Sequence, residues 1–169
     1  MTESGYAGSI SQELAGLEPG RIPLDVFGQI ARLTVTPVVE VVPFYNSGKV
    51  TKVYLLKRAS NDPLWADLYH VPGGIILPTD NPGSFNNALD RVVTGKLDRF
   101  NPAEPTFVES MLCRTARGAE LAVVFYTILS NPPEDDTLFN PTNLPNGVID
   151  PHQDFVLKSL EKYTNKPNS

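Results

Sequence analysis

The spacing of apolar residues predicts three helices in this chain. Between Pro23 and Leu33 the apolar residues recur every three positions, which is typical of a short helix. From Phe85 to Leu97, and again from about Pro151 to Tyr163, apolar residues are spaced along one face of a helix. Each predicted helix therefore has an apolar side that is suited to packing on a core.

Four further segments are predicted strands because they are rich in Val and Thr or alternate apolar with polar positions. They are Thr34 to Tyr45, Val50 to Lys57, Thr106 to Arg114 and Glu120 to Leu129. The turn residues Asn46-Ser47-Gly48 and Arg117-Gly118 separate the members of each pair, which predicts two hairpins. Helices and strands thus mix around one antiparallel-rich sheet, which predicts a layered α/β or α+β domain.

The length of 169 residues suits one compact domain with one core. Residues 1–21 are polar and contain glycine, so we expect a flexible lead-in followed by a single domain over residues 22–165. A Pro-rich loop is expected from Ser130 to Pro145. No apolar run approaches the roughly 20 residues that crossing a membrane requires. No secretory signal is evident from Met1 to Ile10, so we expect a cytoplasmic location and no membrane partner.

Charge and cysteine content narrow the possible chemistry. Cys113 is the single cysteine, which excludes an internal disulfide, and no cluster of Cys and His residues offers a zinc site. The net charge of −5 argues against binding to extended nucleic acid, which requires a positive face for the phosphates. A local pocket for one small phosphorylated ligand is compatible with this charge.

Several short motifs follow one another in an order that is typical of one family. Lys52 to Arg58 resembles a strand that ends in a Lys-Arg pair, and Asp67 to Gly74 ends in Pro-Gly-Gly. A helical segment follows, and then Leu144-Pro145 and the segment His152 to Leu160. In this order and with these gaps, the motifs resemble the Nudix (MutT-like) hydrolase family over about residues 34–163. The resemblance implies an α/β/α sandwich with a mixed, antiparallel-rich sheet.

The resemblance also implies a metal-dependent reaction, but the residues for it are altered. The family motif is Gly-x5-Glu-x7-Arg-Glu-apolar-x-Glu-Glu-x-Gly-apolar, and its glutamates bind divalent cations, usually Mg²⁺, which bridge a diphosphate. Aligned from Gly74 without an insertion, Asp80 stands for the first Glu. Ala88-Leu89 then replaces the Arg-Glu pair, and Val92-Val93 replaces the paired glutamates.

A second alignment allows three extra residues in the loop before the helix, and we prefer it. Arg91 then matches the Arg of the motif, while Gly83 and Val92 replace the first two glutamates. Gly95 and Lys96 replace the paired glutamates, which removes two negative charges and adds a positive one. Neither alignment retains a glutamate, so we predict that the usual metal site is missing.

Acids outside the motif offer a rebuilt metal site as an alternative. Asp80 and Asp90 are candidate ligands for Mg²⁺ or Mn²⁺, although Asp80 also suits the turn Thr79-Asp80-Asn81-Pro82 and Asp90 a solvated helix position. Glu109 is the candidate catalytic base, and Glu40 is a second one. Strand alternation equally places either glutamate on a solvated face.

Candidate ligand-binding residues lie on both sides of the Pro-Gly-Gly segment. Arg58 and Arg91, and also Arg114 and Arg117, carry guanidinium groups that suit phosphate. Tyr69 is a candidate for stacking on a base, although a core position is the plainer interpretation. Further candidates are Gly73 and Gly74, which form a tight backbone turn, whereas His70 and His152 are expected to be surface or capping histidines.

Three functions remain compatible with the sequence. The first, which we prefer, is a degenerate Nudix domain that binds a nucleotide-like or phosphorylated ligand with little or no hydrolysis. The second is a working hydrolase of nucleoside-diphosphate derivatives that uses metal-assisted water attack at a site rebuilt from Asp80, Asp90, Glu109 and Glu120. The third is a structural or interaction scaffold. Nudix proteins often dimerise, so a homodimer is also possible.

Overall fold

The computed structural model describes residues 3–18, 21–80, 83–134 and 137–165. One six-stranded sheet has the order β6-β7-β1-β2-β8, with β5 paired to β1 beside this path, and β3 pairs with β4 in a separate ladder. The strands are β1 Val35–Ser47, β2 Val50–Tyr54, β3 Leu56–Lys57, β4 Tyr69–His70, β5 Gly73–Ile75, β6 Thr106–Thr115, β7 Gly118–Leu129 and β8 Leu138–Phe139.

Four α-helices accompany these strands in the described part of the chain. They are α1 Glu3–Ala15, α2 Leu24–Leu33, α3 Asn86–Lys96 and α4 Asp150–Thr164, and a 3-10 turn follows α3 at Asp98–Phe100. Helix α3 buries Ala88, Leu89 and Val92 against one face of the sheet. Helix α4 buries Phe155 and Val156 against the other face. The sheet therefore lies between two helical layers, as the resemblance predicted.

Strand β1 is the centre of the fold. It pairs in parallel with β7 and antiparallel with β2 and β5. Helices cover it on both faces, so that the side chains from Val38 to Phe44 are all buried. Strand alternation predicted a solvated face for Glu40, and this is wrong, because a strand covered on both sides has no solvated face. Glu40 is only 7% exposed.

The predicted helices and long strands are confirmed, with differences in the segment after the first hairpin turn and in the Pro-rich loop. The segment Val50 to Lys57 is two strands, because Leu55 leaves the ladder and its N–H donates to the Thr137 carbonyl at 3.1 Å. The Pro-rich loop contains the short strand β8 at Leu138–Phe139, which pairs with β2. Residues 135–136 of that loop lie outside the described residues.

The N-terminal segment differs from the expected loose lead-in, because it contains α1 at Glu3–Ala15. Residues 8–15 of this helix are all exposed, so this part of the helix adds little to the core. Residues 1–2 and 19–20 lie outside the described residues, and flexibility of the segment stays a prediction. None of the described helices is long and apolar enough to span a membrane.

Gly118, the first residue of β7, has no room for a side chain. Its φ is +145°, and an added Cβ would lie 2.4 Å from the carbonyl oxygen of Ala31 in α2. We expect Gly118→Ala to lower the free energy of unfolding by about 3 kcal/mol, because backbone strain and overpacking act together. Gly28→Ala, within α2 and in open space, is the control. A loss below about 1 kcal/mol for Gly118→Ala in denaturant unfolding would contradict this account.

Candidate functional site

A cavity of about 200 Å³ opens where the middle of β1, the Pro-Gly-Gly segment, the end of α3 and the start of α4 meet. The tip of the β6–β7 hairpin and the loop after β3 complete its wall. Its polar lining includes two acids, two histidines and three cationic residues. They are Glu40, Glu120, His70, His152, Arg58, Lys96 and Arg117.

Glu40 is the buried acid of the cavity, and Gly73 provides the space for it. The two residues are opposite each other in the β1–β5 ladder. A Cβ on Gly73 would lie 1.9 Å from the Glu40 Oε2 atom, so the carboxyl lies where a side chain would otherwise be. Burial raises the pKa of Glu40 to about 8, against the partly opposing charge of Lys96. The Oε2 atom finds no hydrogen-bond partner among the described residues.

Two buried histidines line the same cavity, and each forms a hydrogen bond with the Val71 backbone. His70 Nδ1 donates to the Val71 carbonyl at 2.8 Å, and the Val71 N–H donates to His152 Nδ1 at 3.2 Å. Burial lowers the pKa of His70 to about 4 and that of His152 to about 3, so both are neutral at pH 7. The expected surface or capping role is therefore wrong for both, because each ring is buried and forms a hydrogen bond with a backbone group of Val71.

His152 also lies near the Glu40 carboxyl. Its Nδ1 atom is 4.0 Å from Glu40 Oε2, which is beyond hydrogen-bond distance. Because Nδ1 accepts a hydrogen bond from Val71, the neutral ring carries its proton on Nε2. The arrangement leaves a buried carboxyl oxygen of Glu40 available to a ligand in the cavity.

Three cationic side chains converge on the cavity from different elements. Lys96, at the end of α3, donates its ammonium to the Gly73 carbonyl, and burial of this group lowers the pKa of Lys96. Arg58 pairs with Asp62 at 3.5 Å, while its buried Nε finds no hydrogen-bond partner among the described residues. Arg117 is the third cation, and it pairs with Glu120 at 2.8 Å.

The buried carboxylate of Glu120 binds its neighbours through one of its two oxygens. Its Oε1 atom accepts hydrogen bonds from Arg117 Nε at 3.0 Å, from a terminal guanidinium nitrogen at 2.8 Å and from Thr115 Oγ1 at 2.7 Å. This charge is therefore matched by Arg117. Since the pKa of Glu40 is about 8, Glu40 is mostly protonated at pH 7, and the described residues offer no carboxylate in an ion pair with the Lys96 ammonium. The cavity is suited to an anion.

An apolar groove adjoins the cavity at Trp65. The guanidinium carbons of Arg58 and Arg117 lie 5.2 Å and 5.3 Å from the centre of the Trp65 ring, within cation–π distance. The groove has a volume of about 710 Å³ and is shared between α2 and the loop after β3, with Phe27 and Leu64 among its lining residues. Trp65 thus joins a polar, cationic cavity to a larger apolar surface.

The structure brings together only part of the predicted site. Arg58, Gly73 and Gly74 line the cavity, and so do Arg117 and Glu120. Tyr69 instead packs edge-on against Phe139 with ring centres 5.1 Å apart. Spacing along the sequence gave no signal for Trp65, Thr115 or the burial of His152, because these residues reach the cavity through tertiary packing.

The other predicted residues lie outside the cavity lining. Arg91 donates to Asp80 at 2.7 Å and to the Ile75 carbonyl at 3.1 Å, so these two side chains engage each other. Asp90 is exposed on α3. Glu109 pairs with Lys158 of α4 at 2.7 Å. The predicted turn at Asp80 ends in Asn81 and Pro82, which lie outside the described residues.

The described residues do not fit the divalent cation that the resemblance implies. Among them, no group of three or more His, Cys, Asp or Glu side chains could hold a metal ion. A hard dication requires several oxygen ligands, preferably carboxylates. In the cavity, one carboxylate is already paired with a guanidinium and the other is protonated at pH 7 beside an ammonium.

Solved structures of known proteins show which fold this is. A MutT/Nudix family protein from Listeria innocua is similar with a TM-score of 0.63 and 18% identity, over 79% of this chain and 97% of that chain. The Nudix domain of Shewanella oneidensis NrtR, solved with ADP ribose, is similar with a TM-score of 0.59 and 20% identity, over 96% and 99%. The C-terminal domain of mouse MUTYH, solved in complex with human PCNA, is similar with a TM-score of 0.56 and 14% identity, over 80% and 94%.

These likenesses confirm that the chain has the Nudix fold, as the motifs predicted. No protein-family model matches the chain, and no curated protein matches it. The shared fold positions the Pro-Gly-Gly turn, the helix after it and the closing helix around one cavity, but the chemistry follows from the side chains there.

Proposed function

We propose that this protein binds a small phosphorylated, nucleotide-like ligand in the cavity and hydrolyses little or none of it. One observation carries the proposal. The ammonium of Lys96 and the guanidinium groups of Arg58 and Arg117 line a cavity in which neither acid is a free carboxylate at pH 7. Cationic groups in a partly closed cavity bind phosphate oxygens through charge-assisted hydrogen bonds. A metal-assisted attack of water would require carboxylates that are free to hold the metal.

The groove beside the cavity supports the nucleotide-like part of the proposal. The groove is lined by Trp65, Phe27 and other apolar residues, which suit an aromatic ring. Arg58 and Arg117 line both the groove and the cavity, so a phosphate of the same ligand would meet them there. Stacking of a base on an aromatic side chain contributes about 1–3 kcal/mol in nucleic-acid-binding proteins. A ligand that combines both parts matches the join between cavity and groove.

ADP-ribose is the first probe because the Nudix domain of Shewanella oneidensis NrtR was solved with it. Isothermal titration calorimetry is used to compare the affinity for ADP-ribose with the affinities for ADP and for inorganic phosphate. We expect Arg58→Ala to weaken ADP-ribose binding about tenfold or more, because a hydrogen bond to a charged group contributes about 1.5–3 kcal/mol. Arg32→Ala is the matched control, since Arg32 is exposed on α2 and bonds only to Gln29 in the described contacts.

Hydrolysis of ADP-ribose and of a panel of nucleoside-diphosphate compounds is to be measured with Mg²⁺ and with Mn²⁺ by following the two products of water attack on the diphosphate, which for ADP-ribose are AMP and ribose 5-phosphate. Binding without product formation above background supports the proposal. Metal-dependent turnover would instead support a hydrolase with a rebuilt site, and variants of Asp80, Asp90 and Glu109 would then identify its ligands. If no probe binds, the scaffold interpretation replaces both.

A further inference from the structure

Lys96 occupies the place in the cavity where the resemblance leads one to expect a metal ligand. In the preferred alignment it replaces one of the paired glutamates of the Nudix motif. Its ammonium donates to the carbonyl of Gly73, in the Pro-Gly-Gly turn. Among the charged groups near Glu40, Lys96 has the largest effect on the pKa of that carboxyl. A positive side chain therefore stands at the junction of the turn, the helix and the buried acid.

We propose that the Lys96 ammonium replaces the divalent cation as the counter-ion of the ligand phosphate, so that ligand binding requires no metal. This inference rests on the proposed function, because it assigns the charge that neutralises the phosphorylated ligand.

The geometry of the ammonium allows this role. An ammonium has three N–H donors, and one of them is used by the Gly73 carbonyl. The remaining donors are available to phosphate oxygens in the cavity that Lys96 lines. The carbonyl contact also holds the flexible lysine side chain in one place, so less conformational entropy is lost when a ligand binds.

The Lys96 ammonium also disfavours the binding of a divalent cation in the cavity. A divalent ion in the cavity would lie beside the positive charge of Lys96, and the repulsion is strong where water is partly excluded. The negative charge of Glu120 is already balanced by its ion pair with Arg117. Glu40 could offset the repulsion only by losing the proton that burial favours. Among the described residues that line the cavity, Lys96 is therefore a cation without a carboxylate in an ion pair with it.

Three variants test the inference, each with ADP-ribose titrated in EDTA and in Mg²⁺. The wild-type protein is expected to bind equally in both conditions. Lys96→Gln, which keeps a hydrogen-bond donor but removes the charge, is expected to weaken binding about tenfold in both. Lys49→Gln, in the exposed turn between β1 and β2, is the control and is expected to bind as the wild type does.

Lys96→Glu adds a carboxylate next to Glu40 and tests the replacement directly. We expect this variant to bind ADP-ribose poorly in EDTA, to bind Mn²⁺ alone by electron paramagnetic resonance, and to regain ADP-ribose binding with metal. The wild type is expected to bind no Mn²⁺ in that measurement. Unfolding curves of each variant show whether it is folded.

The outcomes separate this inference from the proposed function. Wild-type binding that is lost in EDTA would overturn the role of Lys96 while leaving ligand binding intact. Unchanged affinity of Lys96→Gln, or a Lys96→Glu variant that binds no Mn²⁺, would also overturn it. Absence of ADP-ribose binding to the wild type in either condition would instead count against the proposed function itself.

Discussion

Replacing Arg117 with alanine is expected to lower the free energy of unfolding by about 3 kcal/mol, because it leaves a buried carboxylate without its partner. The side chains of Arg117 and Glu120 are only 17% and 6% exposed, and their ion-pair distance is 2.8 Å. Water therefore screens the pair weakly, and Glu120 is left in a largely buried position without its partner after the substitution. The variant also loses the contact of the guanidinium with the Trp65 ring.

Denaturant unfolding of a double variant identifies the cause of this loss. In Arg117→Ala/Glu120→Gln the acid is neutral, and its amide oxygen can still accept the hydrogen bond from Thr115. We expect the double variant to recover more than half of the stability that Arg117→Ala loses, because no charge is left buried. A double variant as unstable as the single one would show that lost packing, and not an unpaired carboxylate, explains the effect.

The stability of this protein is expected to fall as the pH rises from about 6.5 to 8, the opposite of what a paired carboxylate produces. The pKa of Glu40 is about 8 in the folded state against an ordinary value of 4.5, so between these values the folded protein holds a proton that the unfolded chain releases. This contribution is complete below pH 4.5 and is lost as the pH approaches 8. The slope near pH 7 is about 1 kcal/mol per pH unit for one proton.

The two histidines have the opposite effect on the acid side. Their folded pKa values of about 4 and about 3 lie below the ordinary 6.5. Between these values the unfolded chain binds protons on the two histidines, whereas the folded chain does not. Stability from His70 and His152 is thus lost as the pH falls below 6.5, against the smaller gain from the single Glu40. Above pH 6.5 the histidines are mostly neutral in both states. Of these three groups, Glu40 then makes the largest contribution to the pH dependence of the free energy of unfolding.

Glu40→Gln isolates the alkaline effect, because it keeps the shape of the side chain without the titration. Urea unfolding at several pH values from 6.5 to 8 is expected to show a falling free energy of unfolding for the wild type and a flat profile for the variant. His152→Gln serves as the control, because it removes a neighbouring ring and should keep the alkaline slope. Equal slopes for wild type and Glu40→Gln would contradict the buried, protonated state of Glu40.

The sequence supports a large part of the fold. The periodic apolar positions predicted α2, α3, α4 and the long strands, since local spacing decides which face of an element is apolar. The Pro-Gly-Gly segment and the motifs around it identified the fold itself. By contrast, α1 has a polar composition without a clear period, and β8 has two residues, so neither carried a local signal.

The candidate site was less predictable, and the reason lies in strand pairing. Local spacing indicated Arg58, Gly73 and Gly74, which line the cavity, but it equally suggested acids that lie elsewhere, such as Glu109. The parallel pairing of β1 with β7 covers β1 and buries Glu40, and no residue near Glu40 in sequence indicates that partner. Burial then favours the protonated, neutral form of Glu40, which does not repel an anion in the cavity.

The sequence by itself determined most of the elements and the fold, because these depend on residue types and their spacing. Only the tertiary structure decided that Lys96, Arg117, Trp65 and the two histidines meet at one cavity. Their convergence depends on long-range packing, and their charges depend on how much water that packing excludes.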